Sequence, residues 1–192
     1  MERSLFSKKV LPFVGLMVAL FAATLIFDAL LHLFDLVWIG RYLGIPGTLL
    51  ILLSFLYSMR KRKVISVGKP QSLLRMHEIF TWLGALMILV HAGIHVYAIL
   101  PWLALIAMLV NLISGMTGQY LLERSRQYMA EKKAGYIERG LTAELVEKQL
   151  FWDVVAFDLM KRWRAVHFPI TLVFAALGIT HILSILLFWQ WQ

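Results

Sequence analysis

The chain has 192 residues, 60% of them hydrophobic, and a mean hydropathy of +0.76, far too apolar for a water-soluble domain of this length. Its formal net charge is +8, but the basic residues stand in short segments between apolar runs, so they read as topology signals and set nucleic acid aside as a partner. Cysteine is absent, which excludes disulfides, thiolate metal sites, cysteine-held iron–sulfur clusters and thioether attachment of a haem.

The first apolar run starts near Val10 and continues to about Trp38, long enough for the roughly 30 Å hydrocarbon layer that about 20 helical residues cross. Basic residues ahead of an apolar run also suit a signal peptide, but this run is too long and ends in no small-residue cleavage site. An uncleaved first helix is expected, over about 10–38. Asp28, His32 and Asp35 all fall near its far end. The second span lies at about 44–60, opened by "GIPG", where Pro46 suits the first turn of a helix. Between Glu78 and Glu123 no Asp, Glu, Lys or Arg occurs for 44 residues, so the stretch crosses twice and turns around Pro101. Spans three and four follow at about 72–99 and 101–122, and the fifth at about 164–190.

Residues 123–163 form a connector with apolar residues at helical spacing, expected to break at Gly140, with Thr142 a candidate cap for its second helix. The connector reads either as an amphipathic piece lying on the membrane surface or as a face that docks a partner. Repeats and low-complexity segments are absent, so residues 1–192 are taken as a single membrane domain.

Of the nineteen Lys and Arg, three precede the first span, six lie from Arg60 to Arg75 and nine from Arg124 to Arg164, while only Arg41 falls on the opposite face. That asymmetry predicts a cytoplasmic N-terminus, two cytoplasmic basic loops and an external C-terminal "FWQWQ".

All six histidines lie in or at the ends of spans, where ionisable side chains are costly and usually face the protein interior. His77 and His91 are fourteen residues apart on span three, and His167 and His181 are fourteen apart on span five. Fourteen residues come within about 40° of four full helical turns and rise about 21 Å, so each pair shares a face at two depths. Spans three and five run in the same direction. His77 is then level with His167 near the cytoplasmic side, and His91 with His181 nearer the outside.

Two facing imidazoles at each of two depths suit the axial ligation of two stacked haems, and without cysteine these are non-covalent b-type haems. Gly84 lies midway between His77 and His91 on nearly the same face, where a flat macrocycle could approach the backbone. Ala175, Ala176 and Gly178 are small residues in the corresponding region of span five. Arg75, Lys161, Arg162 and Arg164 are candidates to neutralise haem propionates, or are ordinary flanking charges. Glu78 follows His77 and either accepts a proton or pairs with a basic residue, or is a first-turn acid suited to the helix dipole.

His95 is eighteen residues from His77, five whole turns, and so shares its face. It is an alternative to His91 as outer ligand; otherwise it is left for a propionate, a supporting hydrogen bond or an outer quinone. His32 lies one turn from both Asp28 and Asp35, forming either a protonatable cluster that serves a quinol or a wetted helix end. In "NLISGMTGQ", Ser114, Gly115 and Gly118 favour close helix packing, and Asn111 or Gln119 is placed to hydrogen-bond a ligand.

With these features in place, the pattern resembles the ferric reductase-like membrane domain of ferric reductases and NADPH oxidases. The strongest local match is "KRWRAVHFPITLVFAALGITHIL", a basic, Trp-containing turn ahead of the inner-haem histidine. The resemblance covers roughly residues 72–190 and rests on spacing more than identity. It implies that His77 and His167 hold an inner haem and His91 and His181 an outer one. A sixth span and a following flavin- or nicotinamide-binding domain do not appear, so electrons are expected from another subunit, a soluble donor or membrane quinol. Cytochrome b of the bc complexes is similar in ligand spacing and midway glycine, although its ligands lie on the second and fourth spans and its "PEWY" sequence does not occur here.

The chain is therefore expected to be a five-span, all-helical protein of the inner (cytoplasmic) membrane, with two bis-histidine b haems stacked between spans three and five. The expected role is that of a membrane subunit of an oxidoreductase, surrounded by lipid and by other subunits. It links quinone or a cytoplasmic donor with an outer-side redox partner such as a c-type cytochrome. Two alternatives are a self-contained reductase of metal or oxygen at the outer face, and a haem-free proton-coupled transporter or assembly subunit.

Overall fold

A computed structural model describes residues 11–93, 99–117 and 122–188, and among these every regular element is helical. The order is α1 (Leu11–Leu33), α2 (Val37–Tyr42), α3 (Gly44–Lys61), α4 (Pro70–Gly93), α5 (Ile99–Met116), α6 (Leu122–Glu138), α7 (Ala143–Ala165) and α8 (His167–Phe188). Five stretches among the described residues are long and apolar enough to cross a membrane: Phe13–Leu33, Val37–Lys61, Pro70–Gly93, Ile99–Met116 and Ala143–Phe188, the last ending in α8. By length and composition this is a multi-pass membrane protein. Large apolar side chains such as Leu25, Leu52, Leu83 and Leu187 point outward, as a lipid-facing surface requires.

Helix ends follow local chemistry. The first apolar run continues to about Trp38, yet α1 stops at Leu33 because Asp35 takes a left-handed backbone, φ +54°. Asp35 N–H donates to the His32 carbonyl and Leu36 N–H to the Leu31 carbonyl, the paired bonds of a Schellman cap. The expected span over about 10–38 is thereby shortened, and Val37 and Trp38 pass to α2, which leads into α3. Pro46 occupies the first turn of α3, as expected. Gly140, φ +77°, ends α6 by the same pair of bonds, Gly140 to Ile137 and Leu141 to Tyr136, so the expected break falls where the sequence puts it. Pro101 lies in the first turn of α5, where a missing N–H is harmless. Val166 separates α7 from α8, three residues before Pro169, which has no N–H to give the Ala165 carbonyl.

The chain divides into two compact units, one of Met1–Val18 with Ile106–Gln192 and one of Ala19–Leu105. In the second, α3 and α4 pack antiparallel through small residues. A Cβ at Gly84 would stand 2.8 Å from the Gly47 carbonyl oxygen, and one at Gly47 would stand 3.1 Å from that of Gly84. Two bare Cα atoms thus let the backbones meet, with Ile51, Ala85, Leu89 and Val90 buried around them. In the other unit, Phe13 and Met160 centre a cluster with Met17, Ile113, Met116, Tyr128, Met129, Ala156 and Phe157. The α6–α7 hairpin extends it through Ser125, whose hydroxyl meets Met160 Sδ at 3.9 Å, and through a Lys132–Asp153 ion pair of 2.8 Å.

Candidate functional site

His77 and His91 both project from α4 toward α2 and α3. His77 Nδ1 donates to the Ser54 carbonyl of α3 at 3.0 Å, and the ring lies 5.6 Å from that of Tyr57. His91 Nδ1 donates to the Gly40 carbonyl of α2 at 3.3 Å. A Cβ at Gly44 would meet His91 Cδ2 at 2.9 Å, Nε2 at 3.0 Å and Cγ at 3.1 Å. Near-equal distances to three ring atoms put Gly44 over the flat of the imidazole, so the absent side chain makes the ring's place. The fourteen-residue spacing does give one shared face, and that face rests on α2–α3. Gly84, expected to leave room for a flat cofactor, lies against the Gly47 backbone and Ile51 of α3.

His167 opens α8 and turns toward α5. Its Nδ1 lies 2.9 Å from Ser114 Oγ and 3.1 Å from the Asn111 carbonyl oxygen. A Cβ at Gly115 would stand 2.8 Å from His167 Cε1. One turn further on, Thr171 Oγ1 lies 2.6 Å from Asn111 Oδ1, a second link between these two helices. His181 is half-buried on the same helix, and its carbonyl accepts from Ser184 Oγ at 2.7 Å. No residue of α8 is fully buried.

A backbone carbonyl can only accept. The partners of His77, His91 and His167 therefore fix the neutral rings as Nδ1–H tautomers, with Nε2 as the basic nitrogen. The two ring nitrogens aim in nearly opposite directions, so Nε2 of His77 points away from Ser54 and that of His91 away from Gly40. A second hydrogen bond of this kind is what metal-ligating histidines use to set tautomer and ring orientation. None of the three accepting carbonyls is near its histidine in sequence: the separations are 23, 51 and 56 residues. Gly40, Gly44, Ser54 and Tyr57 thus join the site from α2 and α3 without having been singled out by motif or spacing.

Asp28 and His32 come together at the end of α1. His32 Nδ1 lies 2.9 Å from the Asp28 carbonyl oxygen and 3.8 Å from Asp28 Oδ1. That carboxylate oxygen is buried without a hydrogen-bond partner and lies 3.6 Å from the position of a Cβ on Gly93 of α4. Asp35 is not drawn into the pair; it sits exposed in the turn. Next to Asp28 and His32 in sequence, Phe27 and Leu31 line an apolar cavity of about 350 Å³ together with Ile39, Leu43, Leu83, Leu86, Met87 and Val90.

Arg75 is exposed on the early turns of α4, and Lys161 and Arg162 are exposed on α7. Arg164 belongs to α7, but its side chain lies outside the described residues, as do His95, Gly118 and Gln119. Among the described residues no three His, Asp or Glu side chains converge on a bare metal ion. Axial ligation of a haem asks for only one or two imidazoles, so the donor set fits that group. Compared with protein-family models, curated proteins and solved structures, the chain matches none.

Proposed function

We propose that this chain is a di-haem b-type cytochrome, the membrane subunit of an oxidoreductase that joins quinone or a cytoplasmic donor to a redox partner outside, such as a c-type cytochrome. One observation carries the reading: three intramembrane histidines, His77, His91 and His167, each give Nδ1–H to a main-chain carbonyl of another helix and so present Nε2 as a basic nitrogen.

His77 and His167 would hold an inner haem, and His91 and His181 an outer one, the pairing implied by the ferric reductase-like resemblance. When bound, the haems supply one-electron redox chemistry. The protein's own part is to hold each imidazole neutral and oriented and to keep water from the buried seams. Arg75 and Arg164 would neutralise the propionates. At the other end of the membrane span, Asp28 Oδ1, buried and without a partner, is suited to accept a proton from a quinol hydroxyl, with His32 relaying it outward. The neighbouring apolar cavity falls in the lower part of the size range of small-molecule sites.

Haem quantitation on the purified protein and on single alanine variants of His77, His91, His95, His167 and His181 tests the reading. The wild type should carry two haems with a b-type α band. His77→Ala, His91→Ala, His167→Ala and His181→Ala should each lose one, and His95→Ala none. A wild-type protein that stays colourless despite haem supply overturns the proposal and favours a haem-free proton-coupled transporter. Loss of the outer haem in His95→Ala, with His91→Ala unaffected, exchanges those two ligands.

A further inference from the structure

The polar contacts between α8 and α5 include one side chain, Ser114, that touches the His167 ring nitrogen directly. Ser114 Oγ lies 2.8 Å from the carbonyl oxygen of Asn111, three residues earlier on its own helix, and 2.9 Å from His167 Nδ1. The carbonyl cannot donate, so the Ser114 hydroxyl proton goes to it, and the Ser114 oxygen remains as an acceptor for the imidazole N–H. The Nδ1–H of His167 is shared between Ser114 Oγ and the Asn111 carbonyl, and the Ser114 hydroxyl proton goes to that same carbonyl. Ser114 is completely buried, where a hydrogen bond is electrostatically stronger than in water and consecutive bonds polarise one another. The next residue, Gly115, leaves the space in which the ring sits. Asn111 is in turn held by Thr171 through its side-chain oxygen. Adjacent residues of α5 therefore supply both the acceptor and the room for one ring of α8.

We propose that Ser114 is a positioning residue for His167, holding its proton on Nδ1 and raising the electron-donating power of Nε2 toward a bound metal. The inference rests on haem ligation by His167 and adds to it the residue that tunes the ligand. A histidine whose N–H is polarised in this way donates more strongly, which favours the oxidised state of an iron bound on the other nitrogen.

The test is a potentiometric titration of the full-length, haem-loaded protein, read at the α band, for wild type, Ser114→Ala and Ser114→Cys. Ser114→Ala should retain both haems, and one of the two midpoint potentials should rise while the other stays put. Haem at the affected site should dissociate about tenfold more readily, the lower end of the usual cost for a supporting hydrogen bond, because the Asn111 carbonyl is still within reach. Ser114→Cys keeps nearly the same volume with a weaker hydrogen-bonding group, so its potential should move in the same direction by less. A merely structural role would lower haem content without raising one potential selectively. Both haems bound at wild-type potentials in Ser114→Ala overturns this proposal and leaves haem ligation standing. If Ser114→Ala does not accumulate, unchanged potentials in Ser114→Cys overturn it equally. A wild type without a b-type spectrum removes the haem reading and this inference with it.

Discussion

A methyl group added at Gly44 would press on three atoms of the His91 ring at 2.9 to 3.1 Å, closer than carbon atoms pack. The ring would have to tilt, and its hydrogen bond to the Gly40 carbonyl, already 3.3 Å long, would be the first to break. Gly44→Ala should therefore act as a mild version of His91→Ala, weakening the outer haem about tenfold or more while the inner haem stays bound. Haem titration of the variant checks this. Wild-type occupancy at both sites would mean that His91 holds no haem, and would point to His95 instead. That His77 and His91 share a face is legible in the sequence, because both belong to the uninterrupted helix α4 and the 3.6-residue period carries from one to the other. What the face meets is not legible. A glycine shows its purpose only through its neighbour in space, and Gly44, Gly47 and Gly115 acquire theirs from helix pairings that no local pattern encodes. Gly84 shows the same limit: its place on the helix face is legible, and its pairing with Gly47 is not.

The α6–α7 hairpin is held by side-chain pairs that repeat at heptad spacing. Ser125 faces Met160 and Lys132 faces Asp153, so a step of seven residues on each helix leads from one pair to the next, as in an antiparallel coiled coil. The Lys132 and Asp153 side chains are only 11% and 8% exposed, and Lys132 also lies 5.7 Å from the Tyr128 ring and 5.9 Å from the Tyr136 ring. Breaking a buried pair costs more than the pair contributes, because the remaining charge loses its closest counter-ion. Lys132→Met should accordingly destabilise the hairpin by about 3–5 kcal/mol, and adding Asp153→Leu should restore most of the loss. Thermal unfolding followed by helical circular dichroism checks both variants, and a double variant as unstable as the single one would show that the register does not depend on this pair. Burial pulls the Lys132 ammonium down, but the hydrogen bond and charge of Asp153 outweigh it and hold the group above its ordinary value of 10.5. A raised lysine stabilises fully below that ordinary value and loses its contribution as pH climbs through the folded one, so the hairpin should weaken only above about pH 10.5. The break between these helices is legible from Gly140 alone, since few residues other than glycine adopt a left-handed backbone readily. The early end of α1 is not, because the apolar run continues through Asp35 and only the backbone angle there ends the helix.

Over the whole molecule the charge pattern and the helix lengths make one joint prediction. Eighteen of the nineteen basic residues fall before α1, from Arg60 in the last turn of α3 to Arg75 in the early turns of α4, or from Arg124 to Arg164, and Arg41 stands alone near the α1–α3 connection. If α1, α3, α4, α5 and α8 each cross once, Val67 and Glu131 are separated by two crossings and lie on one side, while Phe34 lies on the other. The absence of cysteine makes the experiment clean, because any cysteine introduced is the only one present. Val67→Cys and Glu131→Cys should resist a membrane-impermeant maleimide in intact cells and react in inverted vesicles, and Phe34→Cys should do the reverse. The decisive comparison is between Val67 and Glu131. The stretch between Glu78 and Glu123 contains no formal charge to anchor a turn at the outer surface, so only its length argues that the chain goes out and returns. Labelling of these two positions from opposite sides would leave an odd number of crossings between them, put α8 in the reverse direction to α4, and remove the matched depths on which two stacked bis-histidine sites depend.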